Sequence, residues 1–228
     1  VPTVTQEDGW YHHSVTPGGP VYIVNPYTAE EQGKAPVIRF AKGVEEFPTI
    51  DKNTNEVEFI KFLNEYKKRI DEDIEANPDV MDRKVIDTFE LVADNVVITG
   101  TVSGAYDAYV NQGFKPLGSL KMHNDHMNML FEYQGIDGRN EKNDIKYTRE
   151  NIRLAQPYGY MYAAIGHIGV QRDVMSSILT NVGGWGIDHE IGHKMDIGVR
   201  TIGEVTNNML PQQSSYYYNK LNKRIPFE

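Results

Sequence analysis

Cysteine is absent from the 228-residue chain, so no disulfide staples the fold, and any metal it holds must be bound by histidine and carboxylate. Basic runs are missing as well. Lys+Arg number 23 against 32 Asp+Glu, a net charge of -9, and nowhere do the cations gather into a stripe that would follow a phosphate backbone. Nucleic acid is thereby set aside as a partner. No apolar run approaches the roughly 18 residues that cross a bilayer. No signal peptide opens the chain, and its first residue is Val1 rather than Met, so it reads as a mature protein or an excised domain. Internal repeats, low-complexity tracts and an obvious inter-domain linker are lacking too.

What is present is the composition of an ordinary folded protein, long enough for one sizeable core or for two small lobes sharing a cleft. Tyrosine is plentiful, 14 residues against 8 Phe, and reads mainly as amphipathic filler of half-buried positions. The turn signal Gly18-Gly19-Pro20 precedes an expected strand over 21–24, and a second is expected over 36–40. Val57, Ile60, Leu63, Tyr66, Ile70 and Ile74 recur at three- and four-residue steps, which predicts an amphipathic helix capped by Asn55 and ended before Pro78. Val- and Ile-rich sequence around Asp94-Asn95 predicts a hairpin over 89–101. Helices follow over 103–111 and 117–133, then a polar surface loop over 135–150, a strand within 158–170, and helical pattern from Gly183 onward.

The chemistry concentrates in that last part. His189-Glu190-Ile191-Gly192-His193 is a His-Glu-x-x-His pattern. On a helix its two imidazoles lie about one turn apart on one face and can grip a single ion. Glu190 projects beside the metal, where it can take a proton from the attacking water. A catalytic zinc wants a third protein ligand and an open position. Glu204, eleven residues past His193, is the best candidate, brought back over the first helix after a turn at Gly198. Asn208, four residues beyond Glu204 and so on its helical face, can accept the spare N–H of His189 or His193. His123 and His126, three apart, read as a polar helix face rather than a metal pair, His12-His13 as loop, and His167 as a half-buried, satisfied histidine. Tyr216, Tyr217, Tyr218 and His167 are the candidates for an oxyanion donor.

At these residues the sequence resembles the enhancin-like zinc metallopeptidases, the family of viral enhancins and bacterial mucin-degrading peptidases. The resemblance is carried by Gly184-Trp185-Gly186 ahead of the histidine pair, by Gly203-Glu204-Val205-Thr206-Asn207-Asn208, and more loosely by the Gly-Gly-Pro-Val-Tyr-Ile stretch from Gly18. It implies an α+β fold in one catalytic domain. A β-rich part, about 1–100, packs with a mainly helical zincin-type part, about 101–228, with the active site in the cleft. It also implies zinc on His189, His193 and Glu204 with Glu190 as general base, the gluzincin arrangement. The implied substrate is a glycosylated, mucin-type protein, cleaved by a secreted or cell-surface enzyme with no membrane span. Two other classes compete: a glycan- or protein-binding module that keeps the fold without turnover, and a zinc amidase acting on cell-wall peptide. The complete ligand-plus-base set favours the peptidase, because a binding module has no use for Glu190.

Overall fold

The structure is a computed structural model that describes residues 3–7, 10–14, 20–22, 44–136, 138–139, 149–154, 161–196 and 202–219. A short hairpin, β1 (Thr3–Glu7) and β2 (Trp10–Ser14), opens the chain. His12 and His13 therefore lie in strand and not in loop. The expected strand over 36–40 and most of that over 21–24 fall outside the described residues, and Val21 and Tyr22 are not in a strand.

The body is a six-stranded mixed sheet covered by helices. Its strands are β3 (Thr49–Ile50), β4 (Phe89–Val92), β5 (Val96–Gly100), β6 (Glu150–Leu154), β7 (Tyr162–Ala164) and β8 (His167–Val170), in the order β3-β4-β5-β6-β8-β7. β4 and β5 form the hairpin expected around Asp94-Asn95, and β7 and β8 form a second antiparallel pair at the other edge. Between these hairpins β6 runs parallel to both β5 and β8.

Period-two burial in β5 shows why the sheet has a wet and a dry face. Val96, Ile98 and Gly100 are buried, while Val97 and Thr99 between them are only partly so. The dry face, with Phe89, Leu91, Ile152, Ile168 and Val170, joins the core built with α1 (Glu56–Ala76), α2 (Val102–Tyr106) and α3 (Pro116–Gln134). Asn55 caps α1 by accepting from the backbone N–H groups of Val57 and Glu58. Its buried stripe is Phe59, Leu63, Tyr66, Ile70 and Asp73, while Val57 is 81% exposed and Ile74 38%. The inward face is thus turned toward Phe59 from the one the periodicity suggested. Asp73 on that stripe is no misfit. Its carboxylate accepts from the backbone N–H groups of Lys84 and Val85 at 2.7 and 2.8 Å, which pins the chain leaving the helix.

α3 ends at Gly135, whose φ of 78° is the left-handed conformation a helix stop favours. Beyond β8 come α4 (Met175–Thr180) and α5 (Trp185–Met195), then α6 (Gly203–Thr206) and α7 (Met209–Asn219). The expected turn at Gly198 lies outside the described residues. Among the described residues no helix is long and apolar enough to cross a membrane.

Candidate metal centre

α5 carries His189, Glu190 and His193, and its burial pattern explains their direction. Asp188, Ile191, Gly192 and Met195 turn into the core, leaving the two histidines on the adjoining, half-exposed face. The rings meet edge to face with centroids 4.9 Å apart. Glu204 arrives from α6, where the helix is interrupted at Glu204 itself, with ψ at 24°. Its Oε2 lies 2.9 Å from His189 Nε2 and 3.2 Å from His193 Nε2, and its side chain is 75% exposed. One donor atom from each of the three residues falls within 4.8 Å of the others. Ligand atoms held about 2.0–2.2 Å from a tetrahedral zinc stand roughly 3.3 Å apart, so this donor set fits the ion.

The protonation pattern fits as well. Asn208 Oδ1 lies 2.8 Å from His189 Nδ1, and its Nδ2 donates to the backbone carbonyl of Glu204 at 2.7 Å, which fixes the amide's orientation. With a carbonyl oxygen as partner, Nδ1 of His189 carries the proton and Nε2 keeps its lone pair toward Glu204. Desolvation pushes the Glu204 carboxyl upward. The charge of His193, the hydrogen bond and charge of His189 and a hydrogen bond from Asn207 outweigh it and hold the carboxyl below the usual glutamate range. Glu190 sits half-buried between the histidines in sequence, one residue past His189.

Three features around the centre were not legible in the motif. Asn207 is fully buried, and its Nδ2 reaches 2.8 Å from His193 Nε2. Directly beneath α5, His126 of α3 places Nε2 2.7 Å from Asp188 Oδ1, and its Nδ1 3.1 Å from the hydroxyl of Tyr218 on α7. Finally, a Cβ at Gly192 would stand 2.3 Å from the backbone oxygen of Asn207, so only glycine lets the two segments touch. A signal for Asn207 existed, since it lies three residues past Glu204 and shares its helical face.

The remaining histidines separate cleanly. His123 and His126 do not form a polar helix face: they are 5% and 3% exposed, and His123 Nε2 meets the Ile178 carbonyl at 2.9 Å. His126 is engaged by Asp188 and Tyr218 instead. His167 Nε2 lies 3.1 Å from the Arg153 guanidinium and 3.4 Å from the Tyr162 hydroxyl. Tyr216, Tyr217 and Tyr218 are all exposed, Tyr218 the least; its hydroxyl meets His126, and partial burial, then the nearby Asp188, push it up to about 12.

A family model described as peptidase M60, enhancin and enhancin-like, matches residues 75–226 and so takes in most of the sheet and the whole centre. The chain belongs to the enhancin-like M60 peptidases. Solved structures agree. The ZmpB metallopeptidase from Clostridium perfringens superposes with a TM-score of 0.67 at 26% identity over 76% of this chain. The M60 catalytic domain of ZmpC from the same organism, determined in complex with the sialyl T antigen, gives the same TM-score, identity and coverage. The catalytic module of its metalloprotease ZmpA gives 0.62 at 26% over 78%. These matches span about a third of each relative, 33%, 33% and 36% of their lengths. No curated protein gives a significant match. The α+β, zincin-like fold expected of an M60 peptidase is the fold observed, and the family is one of metallopeptidases.

Proposed function

We propose that this M60 chain is a zinc-dependent endopeptidase that hydrolyses peptide bonds in glycosylated, mucin-type proteins. His189, His193 and Glu204 are the metal ligands in this reading, Glu190 the general base and Asn208 the residue that orients His189. The observation that carries it is the convergence of three donor atoms, from two helices, within 4.8 Å. Membership of a metallopeptidase family supports the reaction class.

A bound zinc ion supplies Lewis acidity, lowering the pKa of water and polarising the scissile carbonyl. Glu190 takes the proton of the attacking water as its oxygen bonds to the carbonyl carbon. It then delivers that proton to the nitrogen as the C–N bond breaks, so that the amine leaves neutral. Asn208 holds the His189 ring in the tautomer that presents Nε2 inward. The shallow seat of Glu204, 75% exposed, leaves the outer side of the centre open to a bulky polymer chain. A glycoprotein substrate is supported by the ZmpC catalytic domain, determined with the sialyl T antigen, and a secreted or cell-surface setting suits such a substrate.

The test is to incubate wild type and Glu190→Ala, each with its zinc content determined, with an O-glycosylated mucin-type protein and with the same protein stripped of glycans. Cleavage of the glycosylated form alone, lost in a variant that still holds zinc, supports the reading. A zinc-loaded wild type that cuts neither protein sinks it and moves the binding module or the cell-wall amidase ahead.

A further inference from the structure

Among the described residues, Asn207 is the one wholly buried polar side chain that touches the donor set. Its Nδ2 stands 2.8 Å from His193 Nε2, and 3.0 and 3.3 Å from the two ring nitrogens of His189. Near-equal distances to both ring nitrogens lay the amide against the His189 ring rather than along a single lone pair. The same carboxamide also helps to hold the Glu204 carboxyl below its usual range. Its Oδ1 is buried without a partner among the described residues, so the N–H end is the one its surroundings use. The backbone cannot drift, because the Asn207 carbonyl lies against Gly192, which immediately precedes His193 on α5.

Electrostatics explain why a donor belongs there. With both imidazoles neutral, as metal binding requires, His189 Nε2, His193 Nε2 and Glu204 Oε2 are all acceptors, and Glu204 Oε2, 2.9 and 3.2 Å from the two nitrogens, is repelled unless something positive lies among them. Water reaches Glu204 from outside, but the inner side of the cluster is closed by a residue with no exposed surface. An N–H dipole on that inner side supplies the missing positive pole.

We propose that Asn207 is a positioning residue of the metal centre: one buried amide N–H group, shared by the three ligands from behind, that sets their spacing and, once an ion engages the imidazoles, remains as the donor to Glu204. This rests on the metal-site reading above. It adds a fourth residue that binds no metal but determines how tightly the other three do. A carboxylate ligand that loses its supporting hydrogen bond binds its metal about tenfold to a hundredfold more weakly.

The experiment uses the full chain, stripped of metal and titrated with zinc against a chromogenic chelator, for wild type, Asn207→Ala and Asn207→Leu. Both variants are expected to weaken zinc binding by about tenfold or more. Their cobalt(II)-loaded forms should show shifted d–d absorption, which a purely structural defect remote from the ion would not produce. An affinity equal to or tighter than wild type in a folded variant overturns the role of Asn207 and leaves the metal site standing. A wild type that binds no zinc overturns both. Should neither variant fold, the side-chain NH2 resonances of Asn207 in the wild type decide. They should shift as zinc is added, and unmoved resonances overturn the proposal.

Discussion

Asp188 and His126 share a 2.7 Å hydrogen bond in the interior, one residue ahead of His189 on α5. Asp188 has no exposed surface, and its second oxygen has no partner among the described residues, so His126 is its tie to α3. Cutting that tie leaves a buried acceptor unsatisfied at the root of α5. His126→Ala should lower the unfolding free energy by about 2–3 kcal/mol in urea titrations at neutral pH. Tyr218→Phe, which removes only the outer hydrogen bond, should cost about 1 kcal/mol.

Gly192→Ala places a methyl group against a backbone oxygen that has nowhere to go, 2.3 Å away. The cost should be about 1–3 kcal/mol, accompanied by weaker zinc binding as α6 is displaced. Gly186→Ala, on the same helix, meets only the flexible end of Met161 and improves helix propensity. It should be neutral to slightly stabilising. Thermal unfolding of the two variants with and without zinc separates the effects.

Acid should find His123. Burial pushes its imidazole down to about 4, with the Ile178 carbonyl only partly offsetting it. The unfolded chain, with an ordinary histidine near pH 6.5, binds this proton first, so the neutral, buried form contributes full stability above that pH. As pH falls from about 6.5 to about 4 that stability is lost, up to about 3 kcal/mol for this group. The His123 imidazole resonance should not titrate until near pH 4, and His123→Gln should flatten the pH dependence of urea unfolding across that window. A midpoint near 6.5 in the folded protein would refute the assignment.

Zinc removal should be readable without any substrate. Free zinc at a hundredfold excess over its dissociation constant stabilises the folded state by about 2.7 kcal/mol. For a chain of this size that is roughly 5–10 °C in Tm. Chelation should reverse the shift, and His193→Ala should abolish it while leaving the metal-free Tm close to that of wild type.

How much of this was legible in the sequence depended on where the determining forces were local. Asn55 and Pro78 bracket α1 because capping and proline geometry act within a turn, and the β4–β5 hairpin followed from Asp94-Asn95 between apolar runs. The inward face of α1 was misjudged because Val57 and Phe59 are equally apolar, and only the facing sheet selects Phe59. β6 went unread: the polar loop expected over 135–150 ends on its first residue, and nothing was expected over 151–154. Glu150, Asn151 and Arg153 mask a strand whose place between β5 and β8 is a long-range choice. α4 has no side-chain cap, and its anchor is Met175, seated on Gly100 and Gly104. At the centre, spacing brought His189, His193, Glu204 and Asn208 forward as candidates. The buried support from His126 was invisible because it depends on which helices lie side by side, while the spacing of Asn207 from Glu204 carried a signal that says nothing of its burial.

The position of β6 also shapes how the protein comes to be folded. β5 closes at Gly100 and its parallel neighbour begins at Glu150, so the two pair only after a long stretch of chain has been looped back. Such non-local pairing is slow, since the entropy of closure is lost before any contact repays it. α5 lies against β7 and β8, whose seating waits on β6. The histidine pair can coil early as a local helix, but its seat against β7 and β8 is set only once the sheet is complete. On the metal-site reading proposed above, an ion held by this helix would reach its final setting only with the finished sheet, making it a latch on a finished fold rather than its seed.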